Sequence, residues 1–145
     1  MDTGKIYRYI ALLKLNNKKK FNFKFIKSKI KNLKLKDLNK KILSSDEIGI
    51  MASELAKSSA IRKMVHNFQI KCAYYFPNKY NGSCLDGRDT TYKIIPDAEF
   101  KFFITANIKT RAQRRFKELK KLKKSVKYEN VLKSIKKRDK NDYNR

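Results

Sequence analysis

The sequence predicts an α/β domain, and three observations carry that reading. Apolar residues recur at helical spacing along several stretches, while Ser83-Cys84-Leu85 and Phe100-Lys101-Phe102-Phe103-Ile104-Thr105 are short apolar runs of strand length. Strands that alternate with helices suggest a parallel sheet buried on both faces. Finally, 41% hydrophobic and 12% aromatic residues in a chain of 145 supply one modest core and exceed what a disordered tail carries.

The elements follow in order. Ile6, Tyr9, Ile10, Leu12, Leu13 and Leu15 predict a helix over residues 5–15, opening after Asp2-Thr3-Gly4. Residues 14–41 are a lysine-rich excursion with interleaved Phe21, Phe23, Phe25, Ile26 and Ile30. Ser44 with Glu47 reads as a capping box, after which Ile48, Met51, Ala52 and Leu55 share one face. Another helix runs from about Ala60 through Ile61, Met64, Val65 and Phe68. Pro77, Asn81 and Gly82 mark a loop before the first strand, which ends at Asp86-Gly87-Arg88-Asp89. After the second strand come a helix with Ala112, Arg115, Phe116 and Leu119 in register, a basic break near Lys123-Lys124, and a last helix with Val131, Leu132 and Ile135.

Composition narrows the function classes. No run approaches the eighteen apolar residues that a membrane span requires, and the first residues do not read as a secretory signal, so a cytoplasmic, monomeric protein is expected. Cys72 and Cys84 are too few for a disulfide framework or a metal site, and His66 is the only histidine. A net charge of +25 attracts polyanions through counterion release without specifying one. Residues 14–41 fit either a solvated excursion or an RNA-binding patch with interleaved aromatics.

The arginines are more informative than the charge. Eight stand among 38 basic residues, the rest being lysine. Arginine's planar fork grips carboxylates and phosphates bidentately, so positions that keep it point to a site for a phosphorylated small molecule. Asp86-Gly87-Arg88-Asp89 lies just past a strand, where α/β folds place their ligand crevice, although a surface turn with an ion pair would look the same. Arg138, Asp142 and Arg145 share a helical face, as an ion-pair ladder or as a converging ribose and phosphate site. Arg111, Arg114 and Arg115 fit a solvated face or clamps on a transferring phosphoryl group.

Taken together, Asp2-Thr3-Gly4-x-x-Tyr7-Arg8, Ala52-Ser53, Arg62, Asp86-Gly87-Arg88-Asp89, Pro96-Asp97-Ala98, Arg111-Ala112-x-Arg114-Arg115 and Arg138-Asp139-x-x-Asp142-x-x-Arg145 resemble, in order and spacing, the bacterial cytidylate (CMP) kinases. The resemblance covers residues 1 to about 14 and about 43 to 145. It implies transfer of the γ-phosphoryl of ATP to CMP or dCMP with magnesium, on a P-loop-kinase-like three-layer parallel sheet flanked by helices. Thr3, Arg8, Arg88 and Arg145 would hold the acceptor phosphate. Ser53, Arg62 and Asp89 would read cytosine, and Arg138 and Asp142 would contact the sugar. Arg111, Arg114 and Arg115 would begin the lid, with residues 111–145 as lid and acceptor-binding helices and 15–42 as the acceptor-side insert. No residue is identified as a metal ligand.

Departures from the family pattern shape further expectations. A strand and GxxxxGK[ST] precede the Asp-Thr-Gly segment in the family; neither occurs among these residues, nor do the closing strand and helix. Ser44 replaces a common arginine and Thr91 a common glycine. With first and last strands missing, the sheet is incomplete and the strands at 83–86 and 100–105 lose ladder partners. The resulting expectation is a truncated form, marginally folded and inactive alone. The competing expectation is a non-enzymatic basic RNA-binding module or a decayed remnant that kept a kinase-like core.

Overall fold

The computed structural model describes residues 1–121 and 125–143, with side chains through residue 140. These form two compact units, Met1–Lys101 and Phe102–Arg145.

The first unit is built on four helices. α1 spans Gly4–Asn16, one residue longer at each end than its apolar spacing predicts, and buries Ile6, Ile10 and Ala11 along one stripe. α2, Phe23–Lys31, opens at Asn22, whose side-chain oxygen accepts from the Phe25 amide at 2.9 Å. α3, Asp46–Leu55, is capped by the hydroxyl of Ser45, not Ser44, at 3.4 Å from the Ile48 amide. The reason is register: the first helical turn starts one residue later, and Asp46 and Glu47 then fall beside its positive end. α4, Ser59–Tyr74, begins at Ser58, whose hydroxyl accepts from Ile61.

α1 packs on α3, and α2 on α4. Their facing stripes meet in one core, with Ile6, Ile10, Ile26, Ile48 and Val65 at 0–2% exposure. Burying each such side chain contributes roughly 1.5–3 kcal/mol. Residues 15–42 are therefore not a solvated excursion. Ile26, Ile30, Leu33 and Leu38 enter the core while their lysines stay at the surface.

The expected sheet is the main correction. No named strand occurs among the described residues; a single parallel bridge joins Asp2 to Asp86. A strand is defined by its ladder, and neither expected strand finds one. Residues 83–85 form no ladder, the bridge lying at the adjoining Asp86, and residues 100–105 run irregularly with Phe102, Phe103 and Ile104 at 78%, 94% and 90% exposure. The chain between Asp89 and Ile95 instead closes a π-helical turn, Thr90–Ile94, with the Ile95 amide donating to the Thr90 carbonyl at 2.9 Å.

The second unit is a helical hairpin of α5, Ile108–Lys121, and α6, Tyr128–Tyr143. Phe116 meets Tyr128 edge-to-face with centroids 5.8 Å apart, while Arg111 meets Asp139, so the helices run antiparallel. Ala112, Leu119 and Val131 form its small core. The expected basic break at Lys123-Lys124 lies outside the described residues.

Candidate functional site

Thr3, at the N-terminal edge of α1, is 5% exposed and joined to the site turn twice. Its amide donates to the Asp86 carbonyl at 2.8 Å and its hydroxyl to the same oxygen at 2.9 Å. The Asp86 amide returns a bond to the Met1 carbonyl at 2.8 Å. These bonds hold Asp86-Gly87-Arg88-Asp89 against the start of α1. Gly87 is what allows so close an approach. A Cβ there would lie 2.0 Å from Thr3 Oγ1 and 2.7 Å from Thr90 Oγ1. Thr90 Oγ1 is buried without a hydrogen-bond partner among the described residues, next to this contact.

Asp89, at the end of the turn, receives Arg62 Nη2 on Oδ2 at 2.5 Å and the Tyr92 hydroxyl on Oδ1 at 3.0 Å. The pair is partly buried, at 36% exposure for the Arg62 side chain and 23% for Asp89. A charge-assisted bond shielded to this degree orients the carboxylate firmly. Arg62 reaches it from the first turn of α4, so the helix fixes the partner's direction.

Arg8 projects from α1 toward α3. Its Nη1 donates to the carbonyls of Leu43 at 2.7 Å and Ser45 at 3.0 Å, just before the α3 cap. Gly49 makes room for it: a Cβ there would stand 2.9 Å from Arg8 Nη2. Ser53, one turn further along α3, is exposed and donates its hydroxyl to the Gly49 carbonyl at 3.0 Å. Arg88 is exposed on the turn.

In the second unit Arg111 is a structural clamp. Nη1 and Nη2 donate to the two Asp139 oxygens at 2.8 and 2.6 Å, and Nε to the Ala106 carbonyl at 3.0 Å. The hydrogen bond to Asp139 holds the guanidinium even further above its usual pKa, so it stays charged. Arg115 bonds Glu118 at 3.1 Å. Arg114 and Arg138 are exposed and carry no such bond among the described residues. The side chain of Asp142 and all of Arg145 lie outside the described residues.

The structure thus brings Thr3, the Asp86–Asp89 turn and Arg62 together, and sets Arg8 and Ser53 about Gly49. It turns Arg8 and Arg111 onto partners within the protein. Sequence reading missed three participants. Tyr92 and Thr90 carried little signal beyond lying three residues and one residue after Asp89. Asp139 stood inside a recognised motif, but its match to Arg111 spans 28 positions and shows only in the folded hairpin.

Among the described residues no three His, Cys, Asp or Glu side chains are grouped to hold a metal ion. No helix of the described residues is long and apolar enough to cross a membrane.

Comparison with known proteins identifies the family. The family model for cytidylate kinase matches residues 1–145. A cytidylate kinase of Bartonella tribocorum is 38% identical over 146 residues, covering all of this chain and 66% of the relative. One of Bartonella bacilliformis is 41% identical over 115 residues, 79% of this chain and 52% of its own length. One of Clostridium botulinum strain Hall is 33% identical over 153 residues, all of this chain and 70% of its own. The chain therefore spans just under two thirds of the Bartonella tribocorum protein. With that match over its full length, the chain belongs to the cytidylate kinase family, whose P-loop kinase fold the family assignment implies.

Proposed function

We propose that these 145 residues form the acceptor-binding and lid portions of a kinase that transfers the γ-phosphoryl of ATP to CMP or dCMP. The observation that carries this reading is the Arg62–Asp89–Tyr92 cluster at the end of a turn locked to Thr3. It presents an oriented carboxylate and guanidinium beside small, close-packed backbone. Such a pair recognises a base edge that has both a donor and an acceptor, as cytosine has in its amino group and ring carbonyl. In this reading Ser53, Arg62 and Asp89 read the base, and Thr3, Arg8, Arg88 and Arg145 hold the acceptor phosphate. Arg138 and Asp142 contact the sugar.

The chemistry asked of the protein is positioning and charge neutralisation, without a covalent nucleophile. Arg114, exposed and without a side-chain bond among the described residues, is the lid arginine best suited to meet a transferring phosphoryl group; Arg111, bound to Asp139, acts as a positioning residue. For Arg8 to grip phosphate it must exchange the Leu43 and Ser45 carbonyls for the ligand, a rearrangement of one long side chain. The donor side needs a backbone cradle with a lysine and a magnesium-binding hydroxyl, and no GxxxxGK[ST] occurs among these residues. The 145-residue chain by itself is accordingly proposed to bind the acceptor without turning it over.

The test is a calorimetric titration of the chain with CMP, dCMP and UMP, repeated for Asp89→Ala. A preference for the cytidine nucleotides that disappears in the variant supports the reading. Equal binding of all three, or a preference unchanged by the substitution, refutes it. Salt-sensitive RNA affinity with no mononucleotide binding would favour a basic RNA-binding module instead.

A further inference from the structure

A cavity of about 460 Å³ lies between α2 and α4 in the first unit, and none of its lining residues belongs to the acceptor set above. Helical spacing builds it. Lys27, Ile30 and Lys31 share one face of α2, and Met64, Phe68, Lys71 and Cys72 share one face of α4. Where those faces diverge, Met64, Phe68 and Cys72 remain only half-buried. The floor is apolar, formed with Ile30 and Leu33, which are 7% and 8% exposed. Lys27, Lys31 and Lys71 stand on the rim, exposed and in no ion pair among the described residues. The volume falls in the range of small-molecule sites, roughly 300–1,000 Å³.

We infer that this groove binds a small amphipathic carboxylate, a medium-chain acyl tail lying on the apolar floor with its single anionic head among the three lysines. Charge complementarity selects the head: an ammonium or an uncharged polar group gains nothing from three adjacent cations. Floor composition selects the tail, because Ile30, Leu33 and Met64 offer aliphatic contacts, while the polar side chains of the lining besides the lysines, Asn67 and Tyr75, are exposed. The apolar surroundings of the floor also raise the Cys72 thiol, burial outweighing the opposing effect of Lys71. This inference is independent of the nucleotide reading.

Cys72 lines the groove and Cys84 is exposed elsewhere, so the chain holds both a reporter and an internal control. The experiment measures N-ethylmaleimide alkylation of each cysteine by mass spectrometry on the full chain, with decanoate below its micelle concentration. Acetate supplies the head alone and octyl glucoside the uncharged tail. Expected is a fall of about tenfold in the Cys72 rate once free decanoate is about ten times its Kd, since only the empty groove reacts. Cys84 should be unchanged, and neither control compound should protect. The triple variant Lys27→Glu/Lys31→Glu/Lys71→Glu should lose the protection. Met64→Trp, which fills the floor, should slow Cys72 without ligand and remove any further decanoate effect. Protection by acetate or by octyl glucoside equal to decanoate's overturns the inference, as does parallel slowing of Cys84. Dimer formation in sedimentation that protects Cys72 without decanoate assigns the groove to a second copy and overturns it too.

Discussion

Gly87→Ala is the sharpest perturbation of the site turn. The added methyl would lie 2.0 Å from Thr3 Oγ1 and 2.7 Å from Thr90 Oγ1, where real contacts essentially never fall below 3.0 Å. Neither threonine can swing into solvent to relieve it, because they are 5% and 3% exposed. Thr3 is further fixed by its two bonds to the Asp86 carbonyl. The clash must be relieved by moving backbone, and overpacking of this kind costs about 1–3 kcal/mol. For a unit of about a hundred residues that corresponds to a melting shift of about 4–12 °C downward. The assay is thermal unfolding followed by circular dichroism, on the single variants and on Thr3→Ala/Gly87→Ala. Thr3→Ala alone loses a hydrogen bond and is expected to cost about 1 kcal/mol. Because it also removes the closest clashing atom, the double variant should be more stable than the sum of the singles by about 1 kcal/mol. An unchanged Tm for Gly87→Ala, or strict additivity, would refute the claim that the turn is seated directly on Thr3.

Three other predictions follow from the same geometry. Arg8→Lys keeps the charge but leaves one of the Leu43 and Ser45 carbonyls without its donor, and is expected to cost about 1–2 kcal/mol in denaturant unfolding. Arg111→Lys cannot reproduce the fork on Asp139; with both side chains more than a third exposed, the loss should be about 0.5 kcal/mol, read as roughly twofold faster amide exchange in α6. Cys72, raised by burial, favours the folded state with its thiol protonated, so its contribution is complete below the ordinary thiol pKa and fades as pH climbs through the raised value. Accordingly Cys72 should alkylate more slowly than Cys84 near neutral pH and gain on it only at higher pH, in a rate profile against pH.

The helices were legible because their signals are local. Apolar spacing placed α1 within a residue at each end and the starts of α3 and α4 within a residue, although α4 runs on past Phe68 to Tyr74, and the α3 cap moved from Ser44 to Ser45. The sheet was not, because a strand's identity depends on a partner that no local pattern specifies; Phe100–Thr105 has the composition of a strand and here runs without a ladder. Residues 15–42 misled by their lysines, whose charges mask an α2 stripe that the core requires. At the site, Arg62 and Asp89 were named through the family resemblance, yet the sequence said nothing of their bond, since 27 residues separate them. Arg8 shows the reverse: an arginine chosen for its fork is found holding two backbone carbonyls.

The central claim is that the turn at Asp86–Asp89, Thr3, Ser53 and Arg62 form one acceptor-binding surface. It is tested most directly by mapping backbone amide shifts of the labelled chain on titration with CMP. The account predicts saturable perturbations concentrated at those residues, with UMP producing weaker ones and the α2–α4 groove left undisturbed. Perturbations spread over the lysine-rich surface of residues 14–41, equal for CMP and UMP and abolished by moderate salt, would contradict it.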